Sequence, residues 1–486
     1  NLSAITTDLA NNPRFYGTVD LGAYEFRIPA VVPNVIVYVS QNGAGTKDGS
    51  SWANATFDLQ QAIQKSSDKV FVAGGTYRPI YPADTDFTGT YLMDLGNRKN
   101  AFVLRKDVKI YGGFNATMPE PSLDLRDTTA ASVHKSILTG DFNGDDGANF
   151  ANNTENACHV LIAAGDVGSA AINGFTVTAG NANVLNDGVN VNGEGFYSSW
   201  GGGLVIENSR PLLSNLRFIG NSGEMGGGIF IGNDNNLKIK NTEISGNQSP
   251  SGGGGVLNGN RSTLELDQVI ISGNKSGGFG GGIYSGEVSY LNIKHSTISD
   301  NIAASHGGGI YNSDYHSGLS VANTVISNNI TTEYGGGIYI GGGTATLDQV
   351  TIKGNAADQG GGILNGTSMQ LSNTLISGNY ATTRGGGIEN NGWNMDFTLT
   401  NTSIAGNNAP TGGAVYSIVT NTSIRNCIIY GNSTGIDDVY PLSNPVISYS
   451  LIQGLAADAT NHNLEGTLNP LFTNAPAAST APFSLG

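Results

Sequence analysis

The stretch Gly280-Gly-Gly-Ile-Tyr284, followed by Leu291-Asn-Ile-Lys-His295, Ser296-Thr-Ile-Ser-Asp-Asn301 and a second Gly307-Gly-Gly-Ile-Tyr311, decides the fold. Gly-Gly-Gly begins at Gly201, Gly226, Gly253, Gly280, Gly307, Gly335, Gly360 and Gly385, with a degenerate Gly412-Gly413-Ala414-Val415 after them, at a spacing of 25 to 28 residues. An Ile or Phe three residues ahead of an Asn keeps the same step, from Phe218/Asn221 through Ile271/Asn274 and Ile298/Asn301 to Ile429/Asn432. Eight residues before each Asn stands Leu213, Ile239, Leu266, Ile293, Val321, Leu347, Leu371, Leu399 or Ile424, and the apolar period is two. Short strands broken by Gly and Asn and recurring at one step describe coils of a parallel β-helix, stacked about 4.8 Å apart. A helical solenoid needs a 3.6-residue apolar period over ten or more residues, which these glycines forbid.

Stacking explains which residue types recur. Glycine reaches φ > 0 without a Cβ clash, Asn tolerates the left-handed region, and a column of Asn amides can hydrogen-bond from coil to coil. Six residues before each ladder Asn lies a second column, Asn215, Asn241, Gln268, His295, Asn323, Gln349, Asn373, Asn401 and Asn426, in which His295 stands as one more member. The following residues, Leu216, Thr242, Val269, Ser296, Thr324, Val350, Thr374, Thr402 and Cys427, read as an inward row. Cys158 lies about ten coils from Cys427, far beyond the reach of a disulfide, so both are expected as free thiols.

Composition narrows the function. The chain has 486 residues, 71 Gly but 15 Pro, 13% charged residues and a net charge of −15. No Gly-X-Y period runs through it, which excludes collagen, and 38% hydrophobic residues supply a core, which excludes disorder. Acidity without a Lys/Arg cluster excludes nucleic acid, and no apolar run of eighteen residues spans a membrane. The chain opens on Asn1 rather than Met, leading to the expectation that a leader was removed or a longer protein cut.

Five regions follow: residues 1–33 as an N-terminal segment, 34–180 as a capping region with irregular early coils, 181–200 as an inserted loop, 201–455 as the regular coils and 456–486 as a tail. Val35-Ile-Val-Tyr-Val39 reads as a strand and Asp58 to Gln64 as a short amphipathic capping helix behind Thr56, with Leu59, Ala62 and Ile63 on one face.

The Gly-Gly-Gly-Ile and Ile-x-x-Asn pairs resemble the repeats of chlamydial polymorphic outer-membrane proteins. Tyr38-Val-Ser through Asp48-Gly-Ser-Ser-Trp52, Leu59-Gln-Gln-Ala62, Val72-Ala-Gly-Gly-Thr-Tyr77, Tyr111-Gly-Gly-Phe114 and Leu138-Thr-Gly-Asp141 resemble the front half of secreted, choice-of-anchor-type bacterial β-helix proteins. The resemblance implies an all-β, right-handed single-stranded parallel β-helix of three short strands per coil. It also implies surface display or adhesion. Asp8 to Pro13 and Thr18 to Phe26 resemble the end of such a module yet precede the cap, and Asn469-Pro-Leu-Phe472 resembles the approach to that ending. Residues 1–28 are therefore expected to complete a neighbouring copy, head to tail.

Two features carry candidate chemistry. Asp141-Phe-Asn-Gly-Asp-Asp-Gly147 sets Asp141, Asn143 and Asp145 at the alternating spacing that Ca²⁺ favours. The twelfth position is Asn152 rather than Glu, so this is no full EF-hand loop, and a plain Asp/Asn/Gly turn is the competing reading. The residues after each Gly-Gly-Gly-Ile include Tyr284, Tyr311, Tyr339 and Tyr416, expected to face outward as an aromatic strip suited to a surface glycan or a neighbouring fibre, or to steady the sheet. Many polysaccharide lyases and hydrolases are β-helices, but fold does not decide activity. The charges Arg217, Glu243, Lys353, Arg384 and Glu389 are scattered, and the histidines show no metal spacing. The expected function is a non-catalytic, extracellular structural or adhesive module of a bacterial surface protein or fibre. The alternative is a polysaccharide-active β-helix enzyme.

Overall fold

The structure, a computed structural model, describes residues 36–88, 92–118, 122–313, 316–392, 395–418, 421–438 and 445–472. The head-to-tail segment expected at 1–28 lies outside them.

One coil shows how the sequence builds the solenoid. Strands Tyr290–Lys294, Thr297–Ser299, Ile302–Ala303 and Ile310–Asn312 are followed in the next coil by Gly318–Ala322, Val325–Ser327, Ile330–Thr331 and Ile338–Ile340. The register is residue on residue: Leu291 on Leu319, Ile298 on Ile326, Ile302 on Ile330, Ile310 on Ile338. Among the described residues, repetition of these pairings gives three parallel sheets, of 25, 12 and 8 strands, wound as a right-handed solenoid. The largest sheet takes two strands from most coils.

What separates those two strands is the second polar column. Asn215, Asn241, Gln268, His295, Asn323, Gln349, Asn373, Asn401 and Asn426 all adopt φ between 46° and 58°. A left-handed residue costs an L-amino acid about 1–2 kcal/mol, least for Asn, so a strand can be bent at one residue by an Asn column where a Val or Ile would resist. His295 takes the same conformation and sets Nδ1 3.1 Å from Asp267.

Inside, Ile244, Ile271, Ile298, Ile326, Ile352, Ile376, Ile404 and Ile429 form one buried stack, part of a continuous apolar core running from Val37 to Ile452. The row from Leu216 to Cys427 is buried throughout, and Cys158 and Cys427 are both free thiols. Beside the core runs the Asn ladder. Asn247 Nδ2 donates to Asn274 Oδ1, Asn274 Nδ2 to Asn301 Oδ1 and Asn301 Nδ2 to Asn329 Oδ1, each at 2.9 Å.

The end of the solenoid is covered as its exposed strand edges require. The capping helix spans Leu59–Lys65 with Leu59, Ala62 and Ile63 buried, and its N-cap is Asp58, whose side chain accepts from Gln61 N at 2.9 Å. Gln60 turns its amide onto the edge strand Phe102–Val103: Nε2 donates to Val103 O (3.1 Å) and Oε1 accepts from Val103 N (2.9 Å), so one side chain stands in for a missing strand. The early coils add to the same sheets through Lys69–Ala73, Lys109–Phe114 and Ala171–Asn173.

Residues 181–200 contain more order than a plain inserted loop. Asn181–Ala182 begins the 8-stranded sheet, and Gly188–Val191 pairs antiparallel with Glu194–Tyr197. The hairpin turns at Asn192-Gly193, φ 53° and 87°, with Val189, Val191 and Phe196 buried. An Asn-Gly pair between alternating apolar residues is the sequence sign of such a turn.

Candidate functional site

The side chains that follow each Gly-Gly-Gly-Ile leave the core and stack along the outer face of the 12-stranded sheet. Tyr284 and Tyr311 lie 5.1 Å apart at 22° between ring planes, Tyr311 and Tyr339 5.1 Å apart at 7°. Their faces are turned on one another, so the strip presents ring edges outward. Phe230 is 6% and Tyr311 8% exposed, whereas Tyr284, Tyr339 and Tyr416 are half-buried.

The partial burial comes from a second row, the residue just ahead of each glycine triplet. Trp200, Met225, Gly252 and Phe279 are bridged in sequence, as are His306, Tyr334 and Gln359, and then Arg384 and Thr411. Trp200 stacks on Phe230 (4.6 Å, 23°), Phe279 lies 5.0 Å from Tyr311, and His306 lies 4.9 Å from Tyr339. Arg384 takes the place of a ring, lying 4.9 Å over Tyr416 while Nε donates to Glu389 at 3.0 Å. Glu389, in the Tyr column, is fully buried by this exchange. Arg217 and Glu243 likewise pair from coil to coil at 2.8 Å, so four of the five outward charges are tied structurally. The row was hidden in the sequence because its chemistry varies; only its constant place before each triplet marks it.

The loop after strand Ser136–Thr139 arranges its acids differently from their spacing. One oxygen each from Asp141, Asp146 and Glu155 all lie within 4.8 Å of one another. Asp145 is not part of this group of acids, and its backbone oxygen accepts from Asn152 Nδ2 at 3.1 Å. Gly144 N donates to Asp141 Oδ1, and the chain then reverses through Asn149, Phe150 and Asn152, all at φ 55–62°, which carries Glu155 back to Asp141. Burial raises the Asp146 and Glu155 carboxyls above the usual range, and like-charged neighbours add to it. Between this loop and the coils lies a groove of about 640 Å³, lined among others by Asp146, Phe150, Gly220, Gly246, Gln248 and Lys275.

A third feature had no sequence sign. Glu207 ends strand Leu204–Glu207 with its carboxylate over Gly232, where a Cβ would lie 2.1 Å from Oε2. Burial, and then the charge of Glu194, push its carboxyl up to about 7. The folded chain therefore holds a proton that the unfolded chain releases between pH ~4.5 and ~7, and stability falls as pH rises through that window. Glu207→Gln is expected to stabilise the fold at pH 8 by about 1–2 kcal/mol, less than full linkage because the group is partly solvated, and to change nothing at pH 4. Denaturant midpoints at the two pH values check this; an equal shift at both would refute it.

Comparisons with known proteins agree with the geometry. Residues 281–448 match the model for a right handed beta helix region, and residues 268–286 match a Chlamydia polymorphic membrane protein repeat. No curated protein matches the chain significantly. Among solved structures, the crystal structure of pectate lyase Pel9A is similar at 12% identity and a TM-score of 0.31, over 88% of this chain and 83% of that one, a likeness too low to bear on chemistry. The chain is a right-handed parallel β-helix protein whose repeats resemble those of chlamydial polymorphic membrane proteins.

Proposed function

We propose that the chain is an extracellular, non-catalytic structural or adhesive module of a bacterial surface protein. The observation that carries this reading is the unbroken ladder from Asn221 to Asn432, which would make the solenoid a stiff rod. It runs beside sheets whose register, among the described residues, breaks over this stretch only between Ala357 and Gln359. The match to a Chlamydia polymorphic membrane protein repeat supports a place at the cell surface. Tyr284, Tyr311, Tyr339 and Tyr416, with the row beside them, would be the contact strip for a surface glycan or a neighbouring rod, reached along the ring edges. Residues 1–28 would join copies head to tail, since an open β-helix end accepts an added strand.

Intact bacteria should bind an antibody raised against the chain and lose that signal on external protease treatment. Labelling seen only after lysis would overturn the proposal. One observation favours the alternative, a polysaccharide-active enzyme: the groove sets Asp146 and Lys275 along one cleft. Assays for reducing ends and unsaturated uronates over acidic and neutral glycans separate the two, the structural reading expecting no release. Turnover that Asp146→Asn abolishes would establish the enzyme instead.

A further inference from the structure

We infer that Asp141, Asp146 and Glu155 bind a hard divalent cation of the Ca²⁺ type, which fastens the 141–156 loop beside the groove. The geometry fits the ion. Ca²⁺ holds oxygens at 2.3–2.6 Å, so ligands on opposite sides of it stand up to about 5 Å apart, and the three carboxylate oxygens lie within 4.8 Å of one another. The charge also calls for a cation. Arg78 meets Asp141 only through the backbone, Nε donating to Asp141 O at 2.6 Å, and the charges acting on Glu155 are Asp145, Asp146 and Asp141, all of its own sign.

An independent observation lies behind the acids. Asn156 is 1% exposed, its Nδ2 donates to Asp146 Oδ2 at 2.8 Å, and its Oδ1 has no hydrogen-bond partner. Glu155 Oε1 is also buried without a partner. A buried unpaired oxygen costs about 1–3 kcal/mol, and here two of them adjoin one carboxylate cluster. A half-turn of the Asn156 amide, whose oxygen and nitrogen positions are interchangeable assignments, would set Oδ1 beside Asp146 Oδ2, where it would offer a cation a neutral oxygen. The frame is held from behind, because Arg98 Nε donates to Asn156 O (2.8 Å) and Nη2 to Asn181 O (2.6 Å), tying the loop's base to the 8-stranded sheet. Asp141 belongs both to this group and to the spacing Asp141, Asn143, Asp145 read from the sequence, and the reversal through Asn149, Phe150 and Asn152 brings Glu155 back to it.

Calcium titration of the full chain by calorimetry, with thermal unfolding in Ca²⁺ and in EDTA, tests the site. The expected result is saturable binding at or below millimolar Ca²⁺, the range of extracellular sites, and a higher unfolding temperature with the ion. Asp146→Asn combined with Glu155→Gln should weaken binding at least tenfold and remove the thermal shift. Asp234→Asn, which takes one charge from a distant surface pair, should leave both unchanged. Circular dichroism confirms that each variant folds. Absence of saturable binding by the wild-type chain, or affinity equal in the double variant, would overturn the inference.

Discussion

Gly281→Ala should open the solenoid at its own coil and cost at least about 4 kcal/mol, placing it among the most damaging single substitutions in the chain. The reason is purely steric, since φ at Gly281 is not left-handed. A Cβ there would lie 2.5 Å from the carbonyl oxygens of both Gly308 and Ile302. Neither oxygen can retreat, because both belong to the next coil's backbone, which is itself bonded onward: Gly308 N donates to Gly335 O at 3.2 Å and Gly309 N to Gly336 O at 3.1 Å. Relief requires the coils to part where Gly280 N meets His306 O, Gly281 N meets Gly307 O, Gly282 N meets Gly308 O and Ile283 N meets Gly309 O. Each of those bonds contributes about 0.5–1.5 kcal/mol net, and more if its groups are left buried and unpaired. Gly246→Ala is the control. That residue does have φ +62°, but nothing lies within 4 Å of its would-be Cβ, so the loss should be only the left-handed strain of about 1–2 kcal/mol. Chemical denaturation of the two variants side by side decides the matter, and equal losses would show that close stacking of the triplets is not what their glycines are for.

The same contrast shows how far the fold could be read from residues alone. A column is visible in sequence when stacking forces one chemistry on every coil. The triplets, the Ile-x-x-Asn pairs and the left-handed column through Asn241, Gln268 and His295 all meet that condition, and Asn247, Asn274 and Asn301 lie one above another as their spacing implied. The row from Trp200 to Thr411 does not meet it. Its place is fixed but its chemistry is free, since a ring, a thioether or a guanidinium covers the neighbouring column equally well. The acidic loop was only partly legible for a different reason: spacing picks out neighbours such as Asp141 and Asp145, whereas three left-handed residues turn the chain back and bring the distant Glu155 to Asp141. Glu207 owes its raised carboxyl to burial and to Glu194 arriving on the hairpin, a meeting that neither residue's sequence neighbours announce.

Asn301→Ala should cost about 4 kcal/mol or more, and the loss should depend on where in the ladder the cut is made. Asn301 is fully buried and serves four bonds at once: Oδ1 accepts from Asn274 N (3.0 Å) and Asn274 Nδ2 (2.9 Å), while Nδ2 donates to Ile271 O (3.0 Å) and Asn329 Oδ1 (2.9 Å). Truncation leaves Asn274 N without its acceptor and removes the side-chain donor to Ile271 O. It also takes one of two partners from Asn274 Nδ2 and Asn329 Oδ1, which keep Ile244 O at 2.9 Å and Asn301 N at 3.1 Å. A stranded buried donor at about 1–3 kcal/mol and three further lost bonds at about 0.5–1.5 kcal/mol each add up to that loss. Asn301→Asp keeps the acceptor but sets a carboxylate oxygen against Ile271 O and Asn329 Oδ1. It should therefore be at least as damaging as Ala at neutral pH and recover as acid protonates it, the opposite of ordinary acid destabilisation. Asn432, which ends the ladder and is only half-buried, donates to Ile404 O and accepts from Asn407, so Asn432→Ala should cost no more than about 1–2 kcal/mol. Because a solenoid couples mainly to its neighbours, the middle cut should also split unfolding into two transitions while the end cut should not. If the two Ala variants lose equal stability in single transitions, the amides are ornaments on a column that the aliphatic stack alone holds up. If they differ as described, hydrogen bonding between coils is what makes separate turns unfold as one body.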